Sequence, residues 1–254
     1  MDTYIDPYFR LTESAEQHKY LYHYTNMDAF EKIVRGGKLK LKRLDKMEDK
    51  GENEFLSKFW QNKVFACCFT HSEEGKERFW REYAKNDGVR IEFPNHLLIR
   101  ENYRIVSENG YEFPKITRTD PGHKLYNSDE DWGLYDVSKV DILYLSAEER
   151  ESWRGKSNGL AKNSFAESSY DWEEETRIRI AMRPVGWEER LDKTNNFVPM
   201  QPFFDEMYIE LNVAILCNIS VSIPSAADDQ FVCKVKNILA KNPMTKDCAI
   251  NRLG

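Results

Sequence analysis

The stretch Tyr20-Leu21-Tyr22-His23-Tyr24-Thr25-Asn26-Met27-Asp28-Ala29-Phe30-Glu31-Lys32-Ile33-Val34-Arg35-Gly36-Gly37-Lys38-Leu39-Lys40-Leu41-Lys42 sets the grain of the chain. Tyr20 to Tyr24 is dense in aromatic residues, which suit a pleated, half-buried strand. Asn26 then offers a side-chain oxygen to the free N–H groups that open a helix. Ala29, Phe30, Ile33 and Val34 recur at the three- and four-residue spacing of one buried helix face, which predicts a helix from the Asn26 cap through Arg35. The pair Gly36-Gly37 ends it, because glycine accepts the left-handed conformation of a helix C-terminus. Leu39 and Leu41 alternate with Lys38, Lys40 and Lys42, the pattern of a strand with one face in a core.

Working outward, Val64 to Phe69 reads as a buried strand, Glu74 to Lys85 as a helix bearing Phe79, Trp80 and Tyr83, and Val89 to Phe93 as the strand after an Asn86-Asp87-Gly88 turn. Weaker strand signals cover Tyr103 to Val106 and Ile142 to Leu145; stronger ones cover Tyr170 to Met182 and Met207 to Cys217. A C-terminal helix is predicted over Asp228 to Ala240, with Phe231, Val232, Val235, Ile238 and Leu239 as its apolar stripe. Residues 1–18 read as a polar lead-in, and the Asp-, Asn-, Ser- and Gly-containing run 120–136 as a long loop or insertion. Strands and helices mix without a β-α-β rhythm, so the expected class is α+β, with a mixed, mainly antiparallel sheet and flanking helices. Without a linker rich in Pro, Gly or Ser, residues 1–254 read as one domain.

The 254 residues are 41% apolar, 31% charged and 13% aromatic. A disordered chain lacks such aromatic bulk, so a folded core is expected. Net charge is −6, from 37 basic and 43 acidic residues, which disfavours broad binding to duplex nucleic acid. The basic run from Arg35 to Lys46 is followed at once by acidic Glu48, Asp49 and Glu52, and reads as a solvated edge. Five cysteines, odd in number and without a CxxC pair, read as reduced thiols. The polar opening and the shortness of every apolar run point to a cytoplasmic protein with no membrane partner.

Three constellations could carry chemistry. The first is Tyr22-His23-Tyr24-Thr25, where alternation turns His23 away from Tyr22 and Tyr24; a histidine bonded to backbone is the plain alternative. The second is Phe79-Trp80-Arg81-Glu82-Tyr83, followed by Gly88-Val89-Arg90-Ile91-Glu92-Phe93. Trp80 and Tyr83, three apart, fit either a ring-stacking site or a core. The third is Tyr170 to Ile180. Period-two reading puts Glu173, Glu175, Arg177 and Arg179 on one face, as a solvated ion-pair ladder or as the wall of a polar cleft.

In their order, Tyr22-His23-Tyr24-Thr25, Leu39 to Leu44, Trp80 with Tyr83, Gly88 with Glu92 and Phe93, Lys162, and Glu173-x-Glu175-x-Arg177 resemble the bacterial family catalogued as domain of unknown function 2971. The resemblance runs from about Leu21 to Ile180. Glu48-Asp49 departs from it, since the family usually has Asn-Asp there. More loosely, an early His with Tyr-Thr, an aromatic helix and a late Glu-x-Glu strand resemble the motif order of ADP-ribosyltransferase folds, which implies a split-sheet core. That likeness implies NAD as substrate, a small-molecule nucleotide as partner, and a binding set of His23, Tyr24, Thr25, Trp80, Tyr83 and Arg177. It further implies Glu175, seconded by Glu173, as the catalytic carboxylate that stabilises a cationic sugar as nicotinamide leaves. Two other functions fit the residues: a nucleotide- or ligand-binding module without turnover, and a metal-dependent hydrolase on Asp45, Glu48, Asp49 and Glu52.

Overall fold

The computed structural model describes residues 7–47, 62–73, 77–85, 87–113, 132–153, 165–184 and 206–253. In chain order the elements are α1 (Pro7–Gln17), β1 (Tyr20–Thr25), α2 (Met27–Gly36), β2 (Lys38–Arg43), β3 (Val64–Thr70), α3 (Glu77–Glu82), β4 (Val89–Pro94), β5 (Tyr103–Ser107), β6 (Trp132–Asp141), β7 (Leu143–Leu145), α4 (Ala147–Trp153), β8 (Phe165–Glu167), β9 (Glu175–Pro184), β10 (Glu206–Leu211), α5 (Val213–Leu216), β11 (Ser220–Pro224), α6 (Asp229–Leu239) and β12 (Ile250–Leu253). Helices stand with mixed, mostly antiparallel strands, so the class is α+β as the sequence predicts. No helix among the described residues is long and apolar enough to cross a membrane. All five cysteines are free thiols.

The chain gathers into two compact units. The first comprises Met1–Ala15, Lys40–Cys67 and Ile105–Tyr208; the second comprises Glu16–Leu39, Cys68–Arg104 and Ile209–Gly254. In the first, β6 and β9 form a long antiparallel pair from Trp132↔Pro184 to Asp141↔Thr176, with an irregularity between Leu134 and Asp136. β9 also lies along β3, where the Met182 N–H donates to the Lys63 carbonyl at 2.8 Å. Leu44, Val64, Ala66 and Ala181 close a small core there.

In the second unit the strand order is β12-β11-β4-β1, followed by the end of β3 through Tyr22↔Thr70. The β1–β4 register runs from Tyr20↔Pro94 to Thr25↔Val89. α2 buries Met27, Phe30, Ile33 and Val34, each worth about 1.5–3 kcal/mol when fully removed from water. Its start is held as predicted: the Asn26 side chain accepts from the Ala29 N–H at 2.9 Å. α6 packs beside it, and Lys241 pairs with Glu31 at 2.6 Å. Gly88 leaves β4 free to begin against β1, since a Cβ there would sit 2.0 Å from the Thr25 carbonyl oxygen.

Several expectations give way. The polar lead-in contains α1, because Thr12 to Gln17 is rich in helix formers and Ala15 finds a buried place. Residues 132–136 of the expected loop belong to β6, whose Trp132, Leu134 and Val140 are strand formers interrupted by polar residues; the rest of that loop, 120–131, lies outside the described residues. The expected strand Met207 to Cys217 stops at Leu211, because the Asn212 side chain accepts from the Ile215 N–H at 3.2 Å and opens α5. Helix Glu74 to Lys85 is described only as Glu77–Glu82. Strand β11 was not predicted although Ile219-Ser220-Val221-Ser222-Ile223 alternates, and β12, Ile-Asn-Arg-Leu, carries no alternation to mark it.

Candidate functional site

Residues directly opposite each other on neighbouring antiparallel strands project from the same face. Tyr22 lies opposite both Glu92 and Thr70, Tyr24 opposite Arg90, and Ser220 and Ser222 opposite Glu92 and Arg90. One face of the second unit's sheet is therefore a polar row. The other carries Leu21, His23 and Thr25 beside Phe93, Ile91 and Val89. The alternation visible in Val89-Arg90-Ile91-Glu92-Phe93 produces both faces at once.

Arg90 is the centre of the polar row. Its guanidinium stands 4.1 Å from the Tyr22 ring centroid, a cation–π distance. One terminal nitrogen donates to the Glu73 carbonyl at 2.9 Å and the other makes a long bond of 3.5 Å to Ser222 Oγ. Ser220 Oγ donates to Glu92 Oε1 at 3.0 Å. Tyr24 stacks on Phe79, with centroids 4.8 Å apart and an 11° interplanar angle, and meets the edge of Trp80 at 5.1 Å. Burial raises the Tyr24 phenol pKa, and the charge of nearby Arg90 opposes the rise. A close approach of the Arg90 guanidinium to the Tyr24 oxygen opposes it as well, although the Tyr24 hydroxyl and Arg90 Nε, both buried, do not reach good hydrogen-bond geometry with any group. Tyr22 is pushed up to about 12, by burial first and then by Glu92, with Arg90 opposing and Glu73 adding to the rise.

The residues singled out in the sequence fall into place unevenly. His23 lies on the face opposite Tyr22 and Tyr24, as alternation predicts. Its Nδ1 is 2.9 Å from the Cys68 carbonyl, which can only accept, so Nδ1 carries the proton. Burial lowers the His23 pKa, and the ring is neutral at pH 7. Thr25 is buried on the same face. Trp80 and Tyr24 come together, but within an aromatic core. Tyr83, three residues on, is 44% exposed.

In the first unit, Arg177 Nε and a terminal nitrogen each donate to one oxygen of Glu175 at 2.7 Å, and both side chains are buried. This forked pair occupies the carboxylate edge-on. The Glu175 N–H donates to the Tyr144 hydroxyl at 3.2 Å, Thr176 Oγ1 donates to Asp141 at 2.6 Å, and Arg179 pairs with Asp136 at 3.1 Å. Burial and then the charge of Glu175 raise the Cys67 thiol to about 12. Burial, Glu175 and Glu173 all push the Tyr144 phenol upward. Burial alone lowers the Lys63 ammonium to about 8.

Glu173 does not share the strand of Glu175. It ends a 3-10 turn over Ser168–Glu173, and Glu174 follows at φ 44, which breaks the period-two face expected across Glu173, Glu175 and Arg177. The strand itself is buried on both faces, so alternation of charge along it marks buried ion pairs and not one solvated side. Asp45 of the acidic loop is engaged by Arg43 at 2.6 and 3.0 Å, while Glu48, Asp49, Glu52 and Lys162 lie outside the described residues. Sequence reasoning quoted Arg90 and Glu92 within the Gly88 to Phe93 motif without giving either a role, and passed over Ser220 and Ser222. The polar alternation of β4 was a signal for the first two, and the same alternation in Ile219-Ser220-Val221-Ser222-Ile223 was one for the serines. Compared with known proteins, the chain matches no family model, no curated protein and no solved structure.

Proposed function

We propose that this chain is a ligand-binding module for a small planar molecule of the nucleotide class, bound on the Tyr22–Tyr24–Arg90 face without turnover. One observation carries the reading: Tyr22, Tyr24 and a buried arginine are gathered on one polar face, with the guanidinium 4.1 Å from the Tyr22 ring, and the Tyr24 hydroxyl and Arg90 Nε have at best a poorly aligned contact with each other. Buried donors are almost always satisfied, and a ligand acceptor would complete what that contact leaves open. Transfer chemistry has less support. The carboxylate that would stabilise a cationic sugar, Glu175, already has its charge matched by the forked pair with Arg177. The histidine that would hold a ribose hydroxyl is bonded to a backbone carbonyl.

Calorimetry with NAD and ADP-ribose, run beside a nicotinamide-release assay on the same protein, tests this. Binding heat that Arg90→Met abolishes, with nicotinamide release no faster than in buffer, is the expected result. Release that depends on protein and disappears in Glu175→Gln would overturn the non-catalytic reading and restore the NAD-dependent transferase.

A further inference from the structure

Two histidines that the nucleotide reading leaves unused meet at one end of the second unit's sheet. His18 stands two residues before β1 begins, and His71 follows the last residue of β3. β1 and β3 run antiparallel with Tyr22 opposite Thr70, so the entry to one strand lies beside the exit of the other. There the two imidazoles stack, with ring centroids 3.9 Å apart and planes 6° from parallel. A nitrogen of one ring lies within 4.8 Å of a nitrogen of the other. Both residues are half-buried, so ions in solution reach them.

The backbone on either side is tied down. The Asn95 side chain donates to the His18 carbonyl at 2.8 Å, and the Asn95 N–H donates to the Lys19 carbonyl at 3.1 Å. The Ser72 N–H donates to Thr70 Oγ1 at 3.1 Å, which holds the turn that carries His71. The ammonium of Lys19, next to His18 in the chain, is directed over the Tyr20 ring at 5.0 Å.

A neutral imidazole presents one unprotonated nitrogen to a metal. With metal–nitrogen bonds of about 2.0–2.1 Å, a tetrahedral ion spaces two ligand nitrogens about 3.3 Å apart. Rotation of the two side chains closes the ring nitrogens to that spacing while the backbone stays in place. Stacking between rings is a weak attraction, and coordination replaces it. Imidazole selects zinc, copper and nickel over magnesium and calcium, which take oxygen ligands.

We propose that His18 and His71 form a two-histidine site for a divalent transition-metal ion of the zinc class, with water completing the coordination. The site is separate from the nucleotide-binding reading and does not depend on it.

Calorimetry on the full chain with Zn²⁺, and separately with Mg²⁺, tests it, using protein whose exposed thiols Cys217 and Cys233 have been alkylated. One Zn²⁺ per chain and no heat from Mg²⁺ is the expected result. His18→Ala and His71→Ala are each expected to weaken Zn²⁺ at least about tenfold, and the bulkier His18→Gln and His71→Gln to do the same. His96→Ala, at an exposed histidine elsewhere, is expected to leave the affinity unchanged. Zn²⁺ is also expected to raise the melting temperature of the unaltered chain but not of the His18 and His71 variants, and melts without metal check that each variant folds. Absence of Zn²⁺ heat, Zn²⁺ affinity unchanged in the His18 and His71 variants, or Mg²⁺ binding as tightly as Zn²⁺ would overturn the site. None of these results bears on NAD binding at the Tyr22–Tyr24–Arg90 face.

Discussion

Glu175 and Arg177 show what a buried charge requires of its neighbours. Their forked pair satisfies both oxygens of a carboxylate that is 5% exposed, and removing one partner strands the other away from water. Arg177→Met is expected to destabilise the fold by about 3–5 kcal/mol. The double change Glu175→Leu with Arg177→Met is expected to recover most of that loss, since no charge is then left unpaired. Urea denaturation of the two single variants and the double gives the coupling directly, and additive losses would mean that the pair is not the unit described. His23 makes a second prediction. Burial holds its folded pKa below the ordinary 6.5 of the unfolded chain. Below about pH 6.5 the unfolded state therefore binds the extra proton. The His23 contribution is fully present above that pH and is lost as the pH falls through the folded value. The urea midpoint is expected to drop between about pH 7.5 and pH 5.5, and to drop less in His23→Gln, whose amide can still donate to the Cys68 carbonyl. Equal drops would show that other groups carry the dependence.

Among the elements, α2 was legible almost to the residue because its ends are set by local chemistry. An asparagine accepts from the N–H three residues on, and a glycine turns left-handed at the stop; neither needs a distant partner. Gly37 caps α2 at φ 62, and a Cβ there would also meet Leu216 Cδ1 at 3.2 Å. Gly36, one position earlier in the last helical turn, has open space around it. Gly37→Val is expected to destabilise the protein by about 1–2 kcal/mol, while Gly36→Ala is expected to be neutral or to stabilise by up to about 1 kcal/mol. Thermal melts that show the reverse order would reassign the stop. The elements that escaped the sequence have no such punctuation. β6 hides its strand formers among Asp, Ser and Lys, and it is a strand because β9 lies along it for nearly its whole length. Likewise the turn before β9 depends on Glu174 at positive φ, a conformation that nothing in Trp172-Glu173-Glu174-Glu175 announces.

At the scale of the whole molecule, the candidate site was half visible. Tyr22, Tyr24 and the Arg90-x-Glu92 alternation were on the page of the sequence, but the register that sets Tyr24 against Arg90 joins residues 66 positions apart (90 − 24), and periodicity carries no register. Ser222 is more distant still and sits on a strand with only five residues to betray it. Cysteine chemistry, by contrast, followed from composition: five thiols with no pairing pattern are five free thiols in the structure. Their environments now separate them. Cys217 and Cys233 are exposed. Cys67 is buried, and desolvation with the nearby Glu175 charge raises it to about 12. Cys248 is also raised to about 12, mainly by burial, although a backbone bond to Val221 opposes the shift. The reactive species is the thiolate, so at pH 8 a thiol of pKa near 12 presents only about one part in ten thousand. Native protein treated with an aromatic disulfide reagent at that pH is expected to release a rapid burst from Cys217 and Cys233, with Cys67 and Cys248 reacting only after denaturant is added. Mapping the labelled peptides after a short exposure checks the order, and the intact mass of untreated protein is expected to match five free thiols. Rapid labelling of Cys67 in the native protein would mean that the strand carrying it opens readily, and with it the buried surroundings of the Glu175–Arg177 pair.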